Sequence, residues 1–554
     1  MRDDIADINA DTIFTIYAIL RAMGCHKRPK NKFILGKLMK IEFCLADIVM
    51  AGIAIALATG LVGGAAAAEP VAPVGQAKIA SVDRTWKVVY GTAEGPEGRA
   101  LELLTSEVGS VYVRDPGVYT LHVLPCERAG TSTVPKMTNA FVIGTLQSNA
   151  ELAKLLKPGD VPKGGYLVRT MKTSAGQRVV IAGDTPAAVI WAVGDFVDDG
   201  LNALAVKKWD GIRSRAEIFQ KPALGMYESR RAPKTRTRSV FTWAHVIDDY
   251  RTYFRNLARL RFNEVILWNN CPPINAREVS AYARSWGISV LWGYAWGWST
   301  NCNRVDFEHL DRLEDDIVRE WREVWHPLGG DGIYFQSFTE LAKETINGHS
   351  IAESVVGIVN RVTKRIRAES QQERIVFGLH ATSVENRLDI IDKTDPSVEI
   401  LWEDCGGFPY NVGRKFDPAA HLRLTDRILA QNREIGLVLK GMLMQDWTQF
   451  AYQAGPYMLG CASKATQAED ARTVEGLWTP YCEDWEARGK VAYDLVRHIQ
   501  AARPDRPAAL NAALNANGDV RFPFALVAEM FWNADEPYEA LVRRVRARGW
   551  IHKQ

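Results

Sequence analysis

The 554-residue chain has no field of charge of one sign and no clustered cysteines. Lys and Arg number 68 against 65 Asp and Glu, a net charge of +3, so no basic surface announces a nucleic-acid partner. Cysteine is sparse. Beyond residue 68 it occurs only at Cys126, Cys271, Cys302, Cys405, Cys461 and Cys482, far apart and in no metal-ligand spacing. No metal and no cofactor is therefore expected, and nothing in the spacing pairs cysteines into disulfides. A Gly-rich phosphate loop after a strand is missing, as is a Gly-x-Ser-x-Gly elbow. Those absences argue against a nucleotide-binding fold and an esterase. With 47% hydrophobic and 24% charged residues, wholesale disorder, a fibrous protein and a polytopic membrane protein are poor fits.

Aromatic residues, by contrast, are plentiful: 17 Trp, 17 Tyr and 19 Phe. Such an excess suits a large aromatic core or a surface for flat, weakly polar ligands such as sugars. One apolar run stands out, Ile48 to Val62, preceded by Lys37 and Lys40 and followed by Gly63, Gly64 and Ala65 to Ala68. Positive flank, apolar stretch and an Ala-x-Ala end predict a secretory signal starting at Met39 and cleaved after Ala68, hence a secreted or periplasmic protein. An uncleaved anchor is the alternative, though a weak one for so Gly- and Ala-rich a run. No stable membrane partner is expected.

Residues 69–222 read as a small α/β sandwich. Strand-like Trp86–Tyr90, Phe141–Gly144, Gly165–Arg169 and Arg178–Ala182 alternate with helical Gly98–Val108, Ala150–Leu156 (capped by Asn149) and Thr185–Asp198. In residues 223–554 the chain repeats strand then amphipathic helix. Eight candidate strands are Arg238–Trp243, Glu264–Trp268, Ile288–Trp292, Gly332–Gln336, Arg374–Leu379, Val398–Trp402, Gly436–Lys440 and Phe524–Phe531. Between them lie helical Val246–Arg261, Ala276–Trp286, Leu310–Trp325, Ile351–Ala368 and Pro418–Arg433. The expectation is a (β/α)8 barrel of the TIM type, with a doubly wound sheet as runner-up. The connection from Lys440 to Phe524 is too long for one helix, so it carries helices of its own or the last strand lies elsewhere.

A barrel of this kind places its chemistry at the carboxyl ends of its strands. In order, those ends offer Trp243 and His245; Asn269 and Asn270; Tyr294, Trp296 and Trp298; Gln336 and Glu340; His380; Glu403 and Asp404; Lys440, Asp446 and Trp447; then Glu529 and Trp532. Paired carboxylates beside aromatic platforms are what glycosidic cleavage requires: one acid protonates the leaving oxygen, and a second carboxylate attacks or activates water. Candidate catalytic groups are Glu340, Glu403, Asp404 and Asp446, with Glu340 as general acid. Candidate substrate contacts are Trp243, His245, Asn269, Trp296, Trp298, Gln336, His380, Lys440, Trp447 and Trp532.

The stretches Gly165-Tyr-Leu-Val168 and Val180-Ile-Ala-Gly-Asp-Thr-Pro-Ala-Ala-Val-Ile-Trp-Ala-Val-Gly194 resemble the N-terminal domain of β-N-acetylhexosaminidases and α-glucuronidases. Ala187–Ala188 replaces the Gly usual in that turn. Thr237 to Trp243, Asp249 to Asn263 and Ala528 to Asn533 are similar to the opening and end of the barrels that follow such domains. The resemblance implies a glycoside hydrolase. The hexosaminidase Asp-Glu pair ending strand four is absent, and Phe335-Gln-Ser-Phe-Thr-Glu340 stands there instead. That is closer to the α-glucuronidase plan, which implies inversion.

Each residue also has a plainer role. Glu340 is placed to open a helix beginning Leu341-Ala-Lys, where the dipole favours an acid. Glu403 and Asp404 are adjacent, so only one of them enters a barrel. Trp296 and Trp298 share parity and suit either sugar stacking or core packing. His245 and His380 suit a rim or a core equally well. Glu529 reads as structural or sugar-binding rather than as the acid. The remaining alternative for the whole chain is a non-catalytic carbohydrate-binding protein on a hydrolase-like barrel.

Overall fold

The computed structural model describes residues 86–551 except 109, 116–117, 124–125, 131–138, 175, 205–224, 243–246, 248, 269–271, 274, 299–304, 342, 382, 404–417, 440–463 and 514–519. The apolar run Ile48–Val62 lies outside them. The description below concerns the unit Ile79–Gln554. Among its described residues, no helix is long and apolar enough to cross a membrane.

The first layer is a six-stranded sheet. β1 (Trp86–Tyr90), helix α1 (Gly95–Glu107), β2 (Ser110–Asp115), β3 (Val118–Val123), β4 (Cys126–Arg128), β5 (Asn139–Thr145), α2 (Ala150–Leu155), β6 (Tyr166–Thr173), β7 (Gly176–Gly183), α3 (Pro186–Asp195) and β8 (Glu228–Arg231) follow in order. The sheet order is β4-β1-β5-β7-β6-β8, and β2–β3 is a separate hairpin. Asn149 caps α2 as its sequence position predicts, accepting from the Glu151 N–H. Its buried amide also donates to the carbonyls of Val89 and Ile143, tying the helix start to two strands.

Eight further strands close into a barrel: β9 (Arg238–Phe241), β10 (Glu264–Trp268), β11 (Ser289–Trp296), β12 (Gly332–Ser337), β15 (Ile375–Leu379), β16 (Glu399–Trp402), β17 (Ile435–Leu439) and β18 (Ala509–Ala513). The short hairpin β13 (Thr345–Ile346) and β14 (His349–Ser350) lies outside the ring. All neighbours pair in parallel, and β18 closes on β9. Side chains alternate between two cores. Phe241, Ile266, Trp268, Leu291, Tyr334, Val376, Leu401 and Val438 fill the lumen. The alternate positions, such as Val265, Trp292, Phe335, Phe377 and Ile400, pack outward in the core shared with the helices. The expected (β/α)8 barrel with a small α/β domain before it is the observed fold.

One strand was expected elsewhere. Phe522–Trp532 is a buried helix, and the eighth strand is Ala509–Ala513, preceded by a 39-residue helix, Lys464–Ala502. Phe522–Trp532 is apolar on every side, so periodicity cannot separate a buried helix from a buried strand. The helix carries Glu529 and Trp532 to the amino end of the barrel. Trp532 packs on Trp191 and Tyr166 of the first domain, with the guanidiniums of Arg238 and Arg261 over its ring. Glu529 is buried among Arg261, Arg544 and Arg548. Arg259 and Trp550 reach Asp198 beyond α3, so ion pairs and indole contacts join the two domains.

Candidate functional site

The carboxyl ends of β11, β12, β15 and β16 converge on one cluster. Tyr334 and Gln336 occupy alternate positions of β12 and both face the lumen. Tyr334 Oη donates to Oε1 of Glu403, the first residue past β16, and Gln336 Nε2 donates to the same oxygen at 2.5 Å. His380, the first residue past β15, brings Nε2 to 2.9 Å from the other oxygen, Oε2. Glu403 is thus held on both oxygens and is only 1% exposed. Burial first, then the charge and hydrogen bond of Glu403, push the Tyr334 phenol well above its ordinary range, so it stays a neutral donor.

Glu340 approaches from the turn after β12. Its Oε2 lies 3.8 Å from the same His380 Nε2 and accepts from Trp298 Nε1 at 2.9 Å. Its side chain is 44% exposed, facing the open end. Thr339 fixes this turn: its carbonyl accepts from Ser383 Oγ at 2.6 Å, and its hydroxyl accepts from the His380 N–H at 3.3 Å. No helix starts at Leu341. The next helix runs Ile351–Glu369 and is capped by Ser350, so a helix N-terminus does not account for Glu340. Gly378 makes the meeting of Tyr334 and Glu403 feasible. A Cβ there would stand 2.0 Å from Tyr334 Oη and 2.7 Å from Glu403 Oε1.

The two tryptophans of shared parity part company. Trp296 is fully buried outside the lumen and stacks on Phe335 with centroids 3.6 Å apart, so it is core rather than a sugar platform. Trp298 turns into the barrel mouth, edge-on to Trp268 at 5.8 Å. The reason is Gly297, whose φ of 79° reverses the strand's alternation. Gln336 and His380, expected as substrate contacts, hold Glu403. Trp532 lies at the amino end and belongs to the domain interface. Trp243, His245, Asn269, Asn270, Asp404, Lys440, Asp446 and Trp447 lie outside the described residues. Tyr334 and Trp268 are members of the cluster that the reading of strand ends missed. Tyr334 was within reach of sequence reasoning, being two residues before Gln336 and hence on the same face.

Among the described residues no group of three or more His, Cys, Asp or Glu is arranged to hold a metal ion. What the arrangement offers is a carboxyl group at a rim, a buried carboxyl group held by polar groups, and indole surface beside both.

No family model matches the chain, and no curated protein matches it in sequence. Solved structures match in fold. Streptomyces plicatus N-acetyl-β-hexosaminidase bound to Thio-NAglucal is 13% identical over 84% of this chain and 90% of its own, with a TM-score of 0.47. CpGH84B is 10% identical over 83% and 70%, with a TM-score of 0.47. A GH138 enzyme targeting pectin rhamnogalacturonan II is 10% identical over 82% and 64%, with a TM-score of 0.44. At such identities the likeness is one of chain path, and the chemistry of the site is read from its own side chains.

Proposed function

We propose that the protein is a secreted glycoside hydrolase in which Glu340 and Glu403 act together on a glycosidic bond. The observation that carries this reading is the convergence of both carboxylates on a single nitrogen, His380 Nε2, at the carboxyl end of the barrel. Their Oε2 atoms stand at most about 6.7 Å apart, the sum of the two contacts. A separation of roughly 5–5.5 Å suits direct attack on the sugar, whereas roughly 6.5–9.5 Å leaves room for water. The bound covers the whole of the first range and only the edge of the second. The bound is compatible with direct attack, so the reading proposed is retention rather than the inversion that the α-glucuronidase resemblance implies.

Glu403 is the nucleophile in this reading. Tyr334 and Gln336 donate to one of its oxygens and His380 stands against the other, which fixes its direction. Glu340 is the acid, because its carboxyl faces the open end where a leaving oxygen can reach it. In the first step Glu403 bonds to the anomeric carbon while the Glu340 proton passes to the departing oxygen. In the second, water attacks that carbon, Glu340 takes the water proton, and Glu403 leaves as carboxylate. Trp298, half-buried beside Glu340, supplies a face for the sugar ring. The strand-four end lacks the Asp-Glu pair of acetamido-assisted chemistry, which supports an α-glucuronidase-like over a hexosaminidase-like substrate.

A panel of chromogenic glycosides that includes glucuronides and N-acetylhexosaminides tests the reading, with the product anomer followed by NMR. Hydrolysis that both Glu340→Gln and Glu403→Gln impair supports it. Binding to polysaccharide with no hydrolysis of any member would make the protein a carbohydrate-binding module instead. Export is tested by sequencing the N-terminus of protein from the native host, expected to begin near Glu69.

A further inference from the structure

At the opposite end of the barrel, where the strands begin, the lumen contains a second polar site. Glu264, Ser239 and Asn511 stand in one row. Glu264 is paired with Ser239 across β10 and β9, and Ser239 with Asn511 across β9 and β18. The row therefore spans the seam at which the last strand closes on the first. All three line one small cavity with Arg374 and Glu399, and Gly436 and Ala509, which also line it, add almost no bulk. The space suits about one or two water-sized occupants.

Two features of this cavity are unexplained by the protein alone. Asn511 is 1% exposed, yet among the described residues neither its amide nitrogen nor its amide oxygen has a partner, and the Ser239 hydroxyl, equally buried, has none. Leaving such groups buried and unpaired is costly, so native structures satisfy them with water or an ion. The second feature is charge. Arg374 binds both oxygens of Glu399, at 2.7 and 2.8 Å, and its remaining arm binds Glu264. Two carboxylates thus face one guanidinium, so the charged lining residues carry one excess negative charge, with Glu264 buried and Arg374 and Glu399 partly exposed.

We infer that this cavity binds a monovalent cation, Na⁺ or K⁺, between the carboxylate of Glu264, the hydroxyl of Ser239 and the amide oxygen of Asn511. Water alone would satisfy the amide and leave the charge uncompensated. A divalent ion asks for six or more oxygens rich in carboxylate, and Arg374 already occupies both oxygens of Glu399. The ion's effect is to tie β10, β9 and β18 together at the seam. The site is independent of the chemistry at the barrel's other end.

Thermal unfolding of the full chain in NaCl, KCl and choline chloride at equal ionic strength tests this. The expected result is a midpoint higher in Na⁺ or K⁺ than in choline, by about 2–4 °C and rising with concentration. Asn511→Leu, which fills the space without an oxygen, should unfold at the same midpoint in all three salts. If that variant does not fold, Ser239→Ala should reduce the cation effect. Crystals soaked in thallium(I), a heavy substitute for K⁺, should show anomalous scattering between Glu264 and Asn511. Equal wild-type midpoints in the three salts, a cation effect that survives in the variants, or no thallium in the cavity would each overturn the inference and leave a water site.

Discussion

Nε2 of His380 lies 2.9 Å from Oε2 of Glu403, with both side chains almost wholly buried at the ends of adjacent barrel strands. Glu340 approaches the same nitrogen from the rim. One imidazole therefore faces both carboxylates of the proposed reaction, and it can direct a single N–H at only one of them at a time. During the first step negative charge leaves Glu403 as it bonds to sugar and appears on Glu340 as it gives up its proton. His380 is placed to serve whichever carboxylate is charged.

His380→Phe tests that role, since it keeps a flat ring of similar size and removes the nitrogen. We expect kcat to fall by about 10²–10³-fold with KM little changed, because the lost contact acts on the carboxylates rather than on bound sugar. A variant that raised KM and left kcat intact would make His380 a sugar-hydroxyl ligand. Circular dichroism and the unfolding midpoint separate either outcome from misfolding.

Glu340→Gln and Glu403→Gln should fail in different ways. The first keeps the shape and removes the proton, so hydrolysis of glycosides with poor leaving groups should drop by about 10²–10⁴-fold, with activated aryl glycosides suffering less. The second removes the nucleophile and should slow both kinds alike. Equal loss for both substrates in Glu340→Gln would reverse the assignment or point to an acid beyond this pair.

Gly378→Ala introduces one methyl group between Tyr334 and Glu403. Its backbone is unstrained, so the effect is steric alone. The added carbon would force the phenol and the carboxylate apart. We expect a loss of about 1–3 kcal/mol in stability from overpacking, and a fall in kcat of at least about 10-fold as Glu403 is displaced. Denaturant unfolding and steady-state kinetics on the same preparation check both. A variant that kept wild-type kcat would mean that the tight approach of Tyr334 to Glu403 is dispensable.

Much of this is legible in the residues alone. The repeat of a short apolar run followed by an amphipathic helix places seven of the barrel strands, and the rule that chemistry sits at strand ends singles out Glu340, Glu403, Gln336, His380 and Trp298 as candidates. What escapes has identifiable causes. Phe522–Trp532 is apolar all round, and Ala509–Ala513 is too small and too mixed to announce a strand, so the eighth strand is expected one element late. Trp296 and Trp298 are expected on one face because a strand alternates, but Gly297 takes a positive φ and turns the second indole into the mouth. The partners that hold Glu403 come from different strands, a meeting that spacing within the chain does not encode.

Glu529 carries the last prediction, which concerns stability and acid. Burial alone would raise its pKa, but the charges of Arg261, Arg548 and Arg544 outweigh that and hold it well below the ordinary 4.5. A carboxyl depressed in the folded state contributes stability that is fully present above its unfolded pKa. That contribution is lost as pH falls through the range below about 4.5 toward the folded value. Glu529→Gln removes the charge that the arginines share and should destabilise the protein by about 3–5 kcal/mol at neutral pH, because it leaves buried guanidiniums uncompensated. The variant has no such carboxyl to protonate, so its unfolding midpoint should decline less steeply than that of the wild type as pH falls below about 4.5. Calorimetric scans at neutral pH, near the ordinary carboxyl pKa and below it give both curves. Parallel curves would show that the arginines are balanced by Asp198 and Asp199 rather than by Glu529.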